Sequence, residues 1–175
     1  MMTSDFKNDL VGTTTNQDIP FEDDFFGQFI GSWNFDLKIY NPKEEVLELK
    51  GNWIFERILK GRCIQDIWIV PLQDSKENEN NFYEYGTSIR SYNPKTRKWN
   101  VTWIGPIQNQ HFVFDVEYKN NEIHLDLVNH GNLSMKWVFY NITEKTFQWR
   151  SDILLKNKDE WITNCHMTLS KTYTD

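Results

Sequence analysis

The chain has 175 residues, of which 39% are hydrophobic and 25% are charged. This length suits one domain with a packed core, and no apolar run approaches the roughly 18 residues that a membrane-spanning helix needs. Because 19 Lys and Arg face 25 Asp and Glu, the chain is acidic, and we expect neither nucleic acid nor a membrane surface as a partner.

The first part of the chain shows no hydrophobic periodicity of a helix or a strand. Residues 1–20 are polar and without periodicity, so they are predicted to form a flexible arm ahead of one domain at 21–175. The N-terminal sequence has no secretory pattern, which favours a cytoplasmic protein with free thiols at Cys63 and Cys165.

A short helix is predicted at 21–30, just before the first strand. Acidic residues lie early in this segment, and its four phenylalanines recur at helical spacing. Gly31 follows directly and is typical of a helix end.

From residue 32 onward the pattern changes to apolar and polar residues in alternation, which indicates strands. An acidic loop interrupts this pattern at 73–82, and most other connections are short turns, so neighbouring strands are expected to be antiparallel. Without crossover helices, the best fold is a single antiparallel up-and-down β-barrel of about ten strands with a short N-terminal helix. The strands are predicted near 32–40, 46–58, 62–71, 84–92, 97–104, 110–118, 122–129, 134–141, 145–154 and 160–170.

The 27 aromatic residues fit either a β-rich core or the walls of a ligand cavity. For the aromatic residues on predicted strands, alternation indicates which face of the strand they occupy. On the last strand, for example, Trp161 is expected to share the inner face with Cys165, Met167 and Leu169.

No motif for dinucleotides, P-loop phosphates, zinc proteases or α/β-hydrolases is present in the chain. His124, Asp126 and His130 share one parity, but they alternate with apolar neighbours and are expected to face solvent. His111 and His166 have the opposite parity to their apolar neighbours, so neither is an obvious axial ligand for a haem. We therefore predict no metal site and no cofactor.

The most informative polar residues lie on the third predicted strand, where Arg62, Asp66 and Trp68 share one parity. A charge inside a barrel must be paired, and Arg57 or Arg90 could supply the partner of Asp66. Two interpretations stay open. The charges could form an ion-pair network that closes one end of the barrel, or a polar recognition cluster in an aromatic cavity.

Several segments, in this order, resemble a bacterial family of small, largely uncharacterised proteins with a calycin-like or lipocalin-like barrel. Gly31-Ser32-Trp33 opens the first strand, GRCIQDIWIVP follows at 61–71, and SIRSYNPKTRKWNVTW follows at 88–103. The resemblance covers about residues 27–171 but departs from the family pattern near 152–160. It implies a barrel that binds a small hydrophobic ligand. The matching positions are Arg62, Gln65, Asp66, Trp68, Arg90, Trp99, Trp103, Trp149 and Arg150.

The preferred function is therefore binding of a small, largely apolar ligand that carries a polar or anionic group. The residues expected to bind it are Trp53, Arg57, Arg62, Asp66, Trp68, Arg90, Trp103 and Trp149. Whether the protein is an enzyme is left open. One alternative is a cofactor-independent cyclase, isomerase or lyase for a polyketide-, terpenoid- or fatty-acid-like substrate, with Asp66 as acid or base and Arg62 stabilising negative charge. The other is a filled barrel that acts as an interaction module, which a cavity below roughly 300 Å³ would favour.

Overall fold

A computed structural model describes residues 5–40, 46–71, 83–128 and 130–172. The predicted acidic loop at 73–82 and the first four residues of the predicted arm lie outside these ranges. No helix among the described residues combines the length and the apolarity that crossing a bilayer requires.

The described chain forms one short α-helix, two 3-10 turns and eleven strands. The ten long strands begin and end within two residues of their predicted bounds, since alternation and turn residues mark them clearly. The elements are α1 (Phe6–Leu10), β1 (Val11–Gly12), the 3-10 turns Phe21–Asp23 and Gly27–Phe29, β2 (Gly31–Tyr40), β3 (Val46–Ile58), β4 (Cys63–Val70), β5 (Glu84–Asn93), β6 (Lys98–Gly105), β7 (Gln110–Lys119), β8 (Glu122–Leu127), β9 (Met135–Tyr140), β10 (Thr146–Leu155) and β11 (Glu160–Lys171).

Strands β2 to β11 form a closed antiparallel barrel. Each strand pairs with the next in sequence, and β11 returns to β2, where Leu169 lies opposite Phe35. The short strand β1 pairs with β3 beyond the end of β2, with Val11 opposite Ile58. The predicted ten-stranded up-and-down barrel is therefore confirmed, and its closure leaves no free edge among the ten long strands.

The prediction of one helix at 21–30 is wrong, because this segment forms the two 3-10 turns instead; the short N-terminal helix is α1. We call residues 21–30 the plug. Phe26 and Phe29 are completely buried in the barrel, whereas Phe21 is 97% exposed. The two short turns allow both rings to face inward while the Asp24 carboxylate reaches Arg57 at 2.6 Å.

The plug is also held at its rim. Asp23 accepts hydrogen bonds from the Tyr92 hydroxyl and from the Arg97 guanidinium, and the indole N–H of Trp99 donates to the Asp23 carbonyl at 2.7 Å. The hydrogen bond from Arg97 keeps the pKa of the Asp23 carboxyl below its ordinary value. The indole N–H of Trp33 likewise donates to the carbonyl of Phe29 at 2.7 Å, so the start of β2 is tied to the plug.

A buried ion pair lies directly beneath the plug. Asp66 on β4 and Arg90 on β5 are each 1% exposed, and their charged groups are 2.5 Å apart. The backbone N–H of Ser88 also donates to the Asp66 carboxylate at 2.9 Å. The guanidinium lies 5.1 Å from the ring centres of both Phe26 and Phe55, so the pair connects β3, β4, β5 and the plug.

Replacing Arg90 with methionine is expected to destabilise the protein by about 3–5 kcal/mol, because the Asp66 carboxylate would lose its buried partner. Urea denaturation followed by tryptophan fluorescence measures this difference. The matched control is Arg62→Met, since Arg62 is exposed and lies 3.8 Å from Asp18. It should cost less than about 1 kcal/mol. Equal losses in the two variants would show that the buried pair has no special weight.

Candidate functional site

The end of the barrel opposite the plug contains a cavity of about 150 Å³ that is partly open to solvent. Its lining includes Ile39 near the end of β2, Glu84 at the start of β5 and Gln110 at the start of β7. These positions mark one rim of the barrel, so the plug closes one end and the cavity opens at the other.

Aromatic side chains form a large part of the cavity wall. Successive tryptophan rings are in contact with centres 5.4–6.3 Å apart, and each ring is turned by 63° to 88° relative to the next. Because neighbouring rings are nearly perpendicular, both ring faces and ring edges take part in the wall. The aromatic lining residues are Trp53, Trp68, Tyr83, Trp103, Phe112, Trp137 and Trp149.

One of these rings depends on a glycine in β5. A Cβ atom at Gly86 would lie 2.3 Å from the ring of Trp103, which is closer than real Cβ contacts allow. Gly86 therefore leaves the space in which Trp103 packs across the wall of the cavity.

Glu84 is the charged residue of this wall. It is 1% exposed, and its carboxylate oxygens accept backbone N–H groups from Tyr85 at 2.9 Å, Ile107 at 3.1 Å and Gln108 at 3.0 Å. The hydrophobic pattern of the sequence does not reveal Glu84, because on β5 the inner face carries polar residues or glycine while Tyr85 and Ile89 are exposed. Hydrophobic alternation alone assigns such a strand to the opposite faces.

Two glutamines continue the polar part of the wall. The indole N–H of Trp103 donates to the side-chain carbonyl of Gln110 at 3.1 Å. The side-chain amide of Gln110 donates to the side-chain carbonyl of Gln108, also at 3.1 Å. The Gln108 amide in turn donates to the Tyr83 backbone carbonyl at 3.2 Å. This chain of hydrogen bonds fixes the amide orientations at the rim.

A β-bulge changes which residues of β11 face the cavity. Ser151 pairs with Cys165 and Asp152 pairs with Thr163, so Asn164 is the extra residue. Both Asn164 and Cys165 line the cavity, as bulges often permit. The predicted inward position of Trp161 is therefore wrong: the bulge shifts its parity, and it is 43% exposed beside Lys136.

Three residues of the lining carry buried polar atoms with no hydrogen-bond partner among the described residues. These atoms are the indole nitrogens of Trp53 and Trp149 and the side-chain oxygen of Asn164. Trp53 and Trp149 are 3% and 7% exposed, so bulk water does not readily reach them. Each of these atoms has less than 1 Å² of accessible surface, so none of them faces the open volume of the cavity.

The structure separates the predicted binding residues into three places. Trp53, Trp68, Trp103 and Trp149 line the cavity. Arg57, Asp66 and Arg90 lie at the plugged end, where Asp66 pairs with Arg90 and Arg57 pairs with Asp24. Arg62 is on the surface beside Asp18. None of these three arginines lines the cavity, so they offer no positive charge to a ligand there.

Cys165 contributes a thiol to the lining, but the burial of this thiol disfavours reaction. Burial raises the pKa of the Cys165 thiol to about 12, so at neutral pH it is almost entirely the neutral thiol. Burial also raises the pKa of the Cys63 thiol. Among the described residues, no group of three or more His, Cys, Asp or Glu is placed to hold a metal ion.

Comparison with known proteins identifies similar folds. No family model and no curated protein matches the sequence. The crystal structure of Rv2717c from M. tuberculosis is similar to this chain, with a TM-score of 0.62 at 10% identity over 91% of this chain and 100% of the other. The S-type phycobiliprotein lyase CPES from Guillardia theta has a TM-score of 0.59 at 11% identity over 90% and 96%.

At these identities the comparisons establish the fold alone, and the fold is a calycin-like barrel. The predicted resemblance is correct at this coarse level. The motif-by-motif match to the bacterial family stays a prediction.

The thiol of Cys165 is expected to alkylate far more slowly than a free cysteine. With a pKa of about 12, only about 10⁻⁴ of it is thiolate at pH 8, roughly a thousandfold less than for a free thiol. Iodoacetamide labelling followed by peptide mass spectrometry measures the rate, with the urea-unfolded protein as control. Labelling of native Cys165 within tenfold of the unfolded rate would contradict its burial.

Proposed function

We propose that this protein binds a small, largely apolar ligand in the aromatic cavity at the open end of the barrel. The observation that carries this proposal is the cavity wall itself. It carries five tryptophans, it is partly open to solvent, and Glu84, Gln108 and Gln110 give it a polar side. Ligand pockets typically combine such an apolar lining with a few polar groups that fix orientation.

The volume of the cavity limits the size of the buried part of the ligand. At about 150 Å³ it lies below the roughly 300 Å³ that separates ordinary ligand pockets from a filled barrel, so volume alone favours the filled alternative. The open mouth and the aromatic lining favour binding instead. An apolar cavity of about 150 Å³ in another protein accepts benzene. The ligand is therefore expected to bury a group of that size and to leave the rest at the mouth.

The enzymatic alternative has less support. Asp66 was its acid or base and Arg62 its charge stabiliser, but neither residue lines the cavity. The neighbour from Guillardia theta is by its name a phycobiliprotein lyase, so a barrel of this shape does occur in a lyase. At 11% identity that similarity supports the fold and assigns no catalytic residue to this chain.

Filling the cavity is expected to abolish binding without unfolding the protein. Ser151 is 4% exposed and lines the cavity, so Ser151→Leu places its larger side chain into the empty volume. Isothermal titration with toluene should show saturable binding to the wild type at about 0.1–1 mM and at least tenfold weaker binding to Ser151→Leu.

The matched control is Ser170→Leu, because Ser170 is an exposed serine on β11 outside the cavity. It should bind toluene as the wild type does. Thermal unfolding of all three proteins checks that they are folded. Toluene binding to folded Ser151→Leu at wild-type affinity, or no saturable binding to the wild type, would contradict the proposal.

A further inference from the structure

We propose that the open cavity selects an organic cation, a small quaternary ammonium or protonated amine group, as the buried part of its ligand. This inference rests on the proposed function and adds the sign of the charge. It also replaces the anionic group expected from the sequence, since the arginines that were to bind that group lie elsewhere.

The wall of the cavity is rich in aromatic rings. Five tryptophans and Phe112 line a cavity of about 150 Å³, and successive tryptophan rings meet at 63° to 88°. The face of an aromatic ring carries negative electrostatic potential, and tryptophan attracts cations most strongly. Rings that turn around a small volume can present several faces to one ammonium group.

The described lining carries a negative charge and no positive one. Glu84 is an almost completely buried carboxylate, and the described lining contains no Lys, Arg or His. Its oxygens accept hydrogen bonds from three backbone N–H groups, but no described cationic side chain forms an ion pair with it. An anionic ligand would meet this carboxylate without compensation, whereas a cation would neutralise it.

The plugged end of the same barrel combines a carboxylate and aromatic rings with a cation. There a carboxylate and two aromatic rings surround a cation that the chain itself provides, because Arg90 pairs with Asp66 and lies 5.1 Å from the centres of Phe26 and Phe55. The open end repeats the carboxylate and the rings, with Glu84 and the tryptophans. Among the described residues, the cation is the component that it lacks.

Choline and 3,3-dimethyl-1-butanol provide a direct test on the wild-type protein. The two molecules have nearly the same shape, but a carbon atom replaces the charged nitrogen in the second. Isothermal titration is expected to show that choline binds at least tenfold more tightly. Equal or tighter binding of the neutral alcohol would overturn the inference.

The same titrations separate failure of this inference from failure of the proposed function. If toluene or the neutral alcohol binds saturably while choline does not, the cavity is an apolar site and only the charge selection is wrong. If none of the three probes binds, both the inference and the proposed function are wrong.

Glu84→Gln tests the source of the selectivity. It should weaken choline binding at least tenfold and leave binding of the neutral alcohol within twofold. The matched control is Glu117→Gln, because Glu117 is exposed and pairs with Lys119 on the surface; it should change neither affinity. A tenfold loss in the control, or no loss in folded Glu84→Gln, would overturn the role of Glu84.

Should Glu84→Gln fail to fold, Trp68→Leu tests the wall instead, since Trp68 lines the cavity and is only partly buried. Loss of its ring should weaken choline more than the neutral alcohol. An equal loss for the two probes would indicate simple loss of apolar contact and would overturn the cation-selective wall.

Discussion

The buried ion pair between Asp66 and Arg90 is the constraint on which the arrangement of this barrel depends. A guanidinium inside an apolar core is tolerated only with a carboxylate at contact distance, and the pair here is 2.5 Å apart with both residues 1% exposed. The aromatic rings of Phe26 and Phe55 cover its guanidinium, so the plug completes the burial. The ion pair and the plug together fill this end of the barrel, and the cavity lies at the other end.

Strand β5 relates the two ends of the barrel. Its inner face carries Glu84 at the open end and Arg90 at the closed end, with Gly86 and Ser88 between them. At the closed end the charge is neutralised within the chain. At the open end the carboxylate is supported by backbone N–H groups, beside tryptophans that surround a small volume. The two ends therefore use similar chemistry, and the aromatic cavity lies at the open end.

The sequence predicts the strands well because alternation and turn residues are local properties. It also indicates that Asp66 must be paired if it lies inside, with Arg90 as a candidate. It does not predict the bulge at Asn164, since an extra residue in one strand is defined only against its partner. The inverted polarity of β5 hides Glu84 for a similar reason: its burial is compensated by N–H groups more than twenty residues away, at Ile107 and Gln108.

The prediction of a helix for the plug rests on local signals: the phenylalanine spacing, the early acidic residues and Gly31. The actual conformation of the plug depends on long-range contacts, namely Asp24 with Arg57 and Asp23 with Tyr92 and Arg97. Such tertiary contacts can override a weak local preference in a ten-residue segment. The prediction that arginines contact the ligand fails for a different reason. Alternation along a strand shows which face a residue occupies, but it does not show at which end of the barrel the residue lies.

The central claim is that the open end of this barrel holds a small molecule. Native mass spectrometry of the purified protein, after incubation with a metabolite extract and gentle desalting, tests it most directly. We expect a discrete added mass that disappears on denaturation and is absent from Ser151→Leu, whose cavity is filled. A wild-type protein that carries no added mass, or an adduct retained equally by Ser151→Leu, would contradict the claim and favour a filled barrel or a site elsewhere.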